Sequence, residues 1–121
     1  MAGLRIGLDL VSVEAVATAI AAHGERYLRR TYTAEELRDC AGEPQRLAAR
    51  FAAKEAVMKV LDRGDAAVPW TSIAVHRDPS GRPSLVLSGA AAELAARRGV
   101  ATFEVSLTHD GGYGAAVVLA H

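Results

Sequence analysis

The chain has 121 residues and a mass of 12.7 kDa, which suits a single domain over 1–121 and is too short for two cores. Of its 61 apolar residues 25 are alanine and 29 are Leu, Ile, Val or Phe, a small-residue core that gains from burying surface against copies of itself. Fourteen basic and fourteen acidic side chains cancel, which argues against a dedicated nucleic-acid binder. No apolar run is long enough to cross a membrane, no signal-peptide pattern opens the chain, and the lone Cys40 has no disulfide partner, so a cytoplasmic protein is expected.

Leu4, Ile6 and Leu8 alternate with Arg5, Gly7 and Asp9, the pattern of a half-buried strand that ends at the aspartate. Val13, Val16, Ala17 and Ile20 follow at helical spacing, with Gly24 placed to stop the helix. Thr33 and Glu36 have the form of a capping box that opens a second, short helix. Residues 45–62 lack Gly and Pro and predict a long third helix. A loop over 64–69 leads past Trp70 to a strand near 72–78, a turn at Pro79, Ser80 and Gly81, and a partner strand over 83–88. An Ala-rich helix at 90–98 ends at Gly99, and two strands flank the turn at Asp110, Gly111 and Gly112. Hairpins without regular βαβ alternation predict an α+β fold, a largely antiparallel sheet packed against the long central helix.

The long helix carries the chemistry. At 100° per residue from Phe51, Glu55 falls at about +40°, inside the apolar stripe with Leu47 and Met58, while Lys54 at about −60° and Lys59 at about +80° flank it and Arg50 lies further round. A carboxylate so placed needs a partner, and two are open: a neighbouring Lys or Arg, or a divalent metal beside a phosphorylated ligand. Asp9, at a strand end just before a helix, reads either as a helix-entry cap or as a metal ligand on a rigid element. His109 reads either as a turn-entry imidazole or as a site residue.

Taken together, Ile6-Gly-Leu-Asp9, Ala49-Arg-Phe-Ala-Ala-Lys-Glu-Ala56, Gly81-Arg-Pro83 and Val105-Ser-Leu-Thr-His109-Asp110 resemble, in order and spacing, the short trimeric class of 4′-phosphopantetheinyl transferases, the holo-acyl-carrier-protein synthases. The likeness covers nearly the whole chain and implies that family's fold and activity: the phosphopantetheine arm of coenzyme A moves to a serine of an apo acyl carrier protein, releasing adenosine 3′,5′-bisphosphate. By position the resemblance implies Asp9 and Glu55 as Mg²⁺ ligands, and Arg50, Lys54 and Lys59 as holders of coenzyme A phosphates. It puts His109 beside the diphosphate, and Gly81 and Pro83 by the adenine. For the serine proton three acceptors stand open: a metal-bound water, Glu55, or a pair formed by His109 and Asp110. A homotrimer with sites between subunits is implied as well.

Two departures from the family pattern stand out. The first helix has no basic residue from Val13 through Ala22, where relatives carry arginine for the acidic carrier; Arg26, Arg29 and Arg30 offer a substitute patch. After Lys59 the chain reads Val-Leu-Asp62-Arg-Gly64-Asp65, with Asp62 where relatives place the first of two glycines, a carboxylate that opposes a phosphate nearby. A second reading, a family member that binds carrier or coenzyme A without catalysis, rests on these departures.

Overall fold

A computed structural model describes residues 3–62 and 67–121. Strand β1 (Arg5–Ser12) is followed by helices α1 (Val13–His23), α2 (Glu25–Thr31), α3 (Ala34–Cys40) and α4 (Pro44–Leu61). A 3₁₀ turn (Trp70–Ser72) leads into the hairpin β2 (Ile73–Arg77) and β3 (Pro83–Leu87), then α5 (Gly89–Arg97) and the hairpin β4 (Phe103–Asp110) and β5 (Tyr113–Ala120). The α+β class is the expected one, with all strand pairs antiparallel, but the strands divide into a sheet ordered β1-β5-β4 and a separate β2-β3 ribbon.

Local signals explain most boundaries. Ser12 caps α1 through its side chain, which accepts from Ala15 N, and Gly24, at φ 52°, ends that helix. The capping box forms in full: Thr33 Oγ1 accepts from Glu36 N, and Glu36 Oε1 accepts from Thr33 N at 2.8 Å. Helix α2 carries no apolar periodicity and so leaves no pattern to read. At the end of α4, Asp62 adopts the left-handed conformation (φ 48°), and Arg98 donates to the carbonyls of Leu61 and Asp62 at 2.9 and 2.7 Å. That cation stabilises carbonyls the helix leaves unpaired, and Asp62 itself is exposed. Gly64 and Asp65 lie outside the described residues.

Helix α4 is the centre of the molecule and is covered on several sides, so its residues do not sort into one stripe. Leu47, Ala52, Ala53, Ala56, Val57 and Leu61 are all fully buried. The sheet rides directly on its backbone because glycines face it. A Cβ on Gly7 would stand 2.4 Å from Ala56 O, and one on Gly114 would stand 2.4 Å from Ala49 N and 2.6 Å from Ala48 C. Backbone cannot yield as a flexible side chain does, so Gly114→Ala should lower stability by about 2–3 kcal/mol. Urea unfolding checks this, and a midpoint equal to the parent's would contradict it.

The first strand reverses the expected orientation. It runs on to Ser12, and the side turned to α4 carries Arg5, Gly7, Asp9 and Val11, with Arg5 Nη1 donating to Val60 O at 2.8 Å. Leu4, Ile6, Leu8 and Leu10 instead point outward and are 61–70% exposed. The alternation itself holds, yet the apolar side has no cover within the chain. With Leu119, the register partner of Ile6, it forms an apolar sheet face of the kind that marks an interaction surface.

Candidate functional site

Two groups of polar side chains flank α4. The first lies along the seam between β1 and α4. Lys59 Nζ donates to Leu8 O at 2.8 Å and to Asp9 Oδ1 at 2.9 Å, which fixes the end of its side chain against the strand. Glu55 is half-buried one turn earlier on the same side of the helix, and β1 runs antiparallel to α4, so Asp9 passes this turn. The seam thus presents two acids and one cation, with the Lys59 end of the ion pair open to solvent at 53% and the Asp9 carboxylate largely covered at 19%.

The second group surrounds a cavity of about 270 Å³. Arg46 and Arg50 reach it from α4, Arg77 from the end of β2, Gly81 from the β2–β3 turn, Pro83 from the start of β3, and His109 from β4. Among the described residues lining it none is acidic. Arg50 is 6% exposed, and its Nε is buried without a hydrogen-bond acceptor, an arrangement that favours an incoming anion. Arg77 lies over Gly81, whose φ of 91° favours glycine; a Cβ there would stand 3.4 Å from Arg77 Nη2. His109 is held in register opposite Gly114, the residue that sits on α4.

Four of the residues expected to hold coenzyme A, Arg50, Gly81, Pro83 and His109, are therefore gathered at one cavity. Arg46 and Arg77 join them without having been singled out by the sequence. Arg46 stands one helical turn before Arg50 and is readable from the same helix arithmetic, whereas Arg77 is brought in by the hairpin and leaves no periodic signal. Around α4 the two groups are about 140° apart, from Arg50 to Glu55 and again from Arg46 to Lys59, so one chain does not turn them toward a common point.

Lys54 corrects an expectation. It is 0% exposed, and its ammonium spends its three protons on Glu36 Oε1 at 2.8 Å, Trp70 O at 3.1 Å and Ile73 O, leaving none for a phosphate. The stripe arithmetic places Glu55 inside and Lys54 on the flank; the packing of α3 and β2 over that flank reverses the two. A pairing of His109 with Asp110 is also unsupported. Successive residues of β4 point to opposite sides, and Asp110 is exposed outside the cavity.

The donor chemistry of the seam bears on a divalent metal. Among the described residues no three His, Cys, Asp or Glu side chains cluster as a metal site. Two carboxylates on adjoining rigid elements fit Mg²⁺, which takes one or two from protein and fills its shell with water and phosphate oxygens. Elsewhere, Arg26 and Arg30 of α2 border a depression with His23, Tyr27 and Trp70. No helix among the described residues is long and apolar enough to cross a membrane.

A model of the 4′-phosphopantetheinyl transferase superfamily matches residues 5–118. The holo-[acyl-carrier-protein] synthase of Frankia casuarinae is 45% identical over 120 residues, covering 99% of this chain and 98% of its own. That of Koribacter versatilis is 41% identical over 120 residues, covering 96% of each. The Helicobacter pylori holo-[acyl-carrier-protein] synthase, solved in complex with coenzyme A, superposes with a TM-score of 0.83 at 25% identity, over 96% of this chain and 99% of that one.

Proposed function

The chain belongs to the 4′-phosphopantetheinyl transferase superfamily, and we propose that it acts as a holo-[acyl-carrier-protein] synthase, transferring the phosphopantetheine arm of coenzyme A to a serine of an apo acyl carrier protein. The observation that carries this reading is the acid-free cavity in which Arg46, Arg50, Arg77 and His109 converge, with the Arg50 Nε lacking an acceptor. It suits the adenosine bisphosphate end of coenzyme A: the cations oppose the phosphates, and the lining at Gly81 and Pro83 would meet the base.

The serine oxygen bonds to the phosphorus bearing the pantetheine arm, the bridging P–O bond breaks, and adenosine 3′,5′-bisphosphate leaves with the electron pair. Asp9 and Glu55 would hold Mg²⁺, which when bound offsets the charge of the diphosphate and polarises its oxygens. Lys59, anchored against β1 at Leu8 O, would add a positive charge beside the diphosphate. The serine proton goes to a carboxylate of the seam or to His109, and Asp110 has no part in that step.

Because the seam and the cavity face apart on one chain, the site is completed by a second copy. The exposed Leu4, Ile6, Leu8 and Leu10 flank Asp9 and supply the surface for it, and a closed homotrimer is the assembly proposed. The carrier's acidic helix would meet Arg26 and Arg30, the basic pair on α2 that stands in for the arginines lacking in α1. A cytoplasmic reaction is the setting proposed, in keeping with the free, buried Cys40.

Incubation with coenzyme A, Mg²⁺ and several apo carriers tests this directly. Mass spectrometry should show carriers heavier by one phosphopantetheine arm, and chelation of the metal should stop the gain. No gain on carriers that a control transferase modifies would refute the assignment.

A further inference from the structure

The buried pair of Lys54 and Glu36 lies outside both parts of the site, yet its bonds lead to it. Glu36 Oε1 takes the amide of Thr33 and the Lys54 ammonium, while Oε2 takes the amide of Val75 at 2.9 Å. Lys54 in turn donates to the carbonyls of Ile73 and Trp70. Strand β2 pairs with β3 along one edge, so Ile73 O and Val75 N lie on its other edge, where no strand serves them. The pair supplies the missing edge partners, as a neighbouring strand would.

An apolar pair of equal volume would leave those backbone groups without partners, which explains why charge is retained in the core. One residue further on, His76 Nδ1 meets Glu35 Oε1 at 2.6 Å, so α3 grips β2 at Val75 and His76, the two positions before Arg77. On α4, Lys54 stands one turn beyond Arg50. The same helix therefore presents Arg50 to the cavity and, through Lys54, holds the strand that presents Arg77 to its opposite wall.

We propose that Lys54 and Glu36 are positioning residues for coenzyme A, setting the distance between α4 and the β2–β3 hairpin and hence the separation of Arg46 and Arg50 from Arg77, Gly81 and Pro83. Neither touches the cavity. The inference rests on reading that cavity as the nucleotide site, and the two fail differently: if the unaltered protein does not bind coenzyme A, the site reading is wrong, whereas unchanged binding in the variants defeats the positioning role.

The test compares Glu36→Gln, which keeps the size and one acceptor, with Lys54→Met, measuring kcat and both KM values on the folded fraction of each. The KM for coenzyme A should rise about tenfold or more, since several phosphate contacts depend on the separation, while the KM for carrier and kcat at saturation change by less than about threefold. Equal losses toward both substrates, or a coenzyme A KM within about twofold of the parent in folded Glu36→Gln, would overturn the proposal. A measurement on the unaltered protein stands independently of variant folding: adenosine 3′,5′-bisphosphate should slow hydrogen exchange at the Val75 amide, and unchanged exchange there would also overturn it.

Discussion

Glu55→Gln is expected to leave the protein folded and lower kcat at saturating coenzyme A and carrier by at least about a hundredfold, the usual scale for removing a principal charge-stabilising group from a transition state. Asp9→Asn should do the same. Both replacements keep side-chain shape. Glu55→Gln keeps the side chain's volume and so creates no cavity, and the pair of Asp9 with Lys59, whose ammonium is half exposed, contributes on the order of 1 kcal/mol to stability. The loss should therefore appear in turnover and in the response to Mg²⁺, in a protein that still folds and unfolds cooperatively. Parent-like kcat in either variant would remove that residue from the proposed metal site. Lys59→Met should act differently, raising the KM for coenzyme A as well as lowering kcat, because its charge opposes phosphate before and during transfer.

A double change on the open sheet face, Ile6→Lys with Leu8→Lys, should produce a folded single chain that has lost nearly all transfer activity. Both side chains are more than 60% exposed and contribute little to the core of one chain. Lysines there would have to be desolvated at an interface, which costs several kcal/mol for each ammonium and outweighs the gain from the remaining apolar surface. Sedimentation should change from an assembly to one subunit, with the circular dichroism spectrum retained. An assembly of the parent's size in this variant would show that the apolar face is covered in some other way.

Much of this architecture is legible in the sequence because it rests on local chemistry. The capping box at Thr33 and Glu36, the stop at Gly24, and the uninterrupted run of α4 are written in neighbouring residues, and the structure honours each. What escapes depends on packing from distant segments. The helical wheel of α4 treats the helix as a surface element with one buried stripe, but a helix enclosed by a sheet, α3 and β2 has none, so Lys54 and Glu55 exchange their expected environments. The alternation in β1 gives the correct period without revealing that its apolar side lacks cover within the chain. Arg77 joins the cavity through a hairpin whose docking no local pattern encodes.

The candidate residues stand out as a set because their motifs resemble a family, and the wheel of α4 already separates Arg50 from Glu55; that β1 joins one side and the β2–β3 hairpin the other is apparent only in three dimensions. A site shared between copies, as proposed, has a consequence beyond assembly size. Variants damaged in opposite parts should then complement one another, since a neighbouring copy would supply what each lacks.

The most direct measurement mixes two inactive proteins. Asp9→Asn, damaged in the seam, and Arg77→Ala/His109→Ala, damaged in the cavity, are unfolded together in equal amounts, refolded, and assayed for transfer to an apo carrier. With each site built from the seam of one copy and the cavity of the next, random assembly leaves about a quarter of the sites intact, and activity should return to about that fraction of the parent's. Activity no greater than the sum of the two variants refolded separately would contradict a site shared between copies.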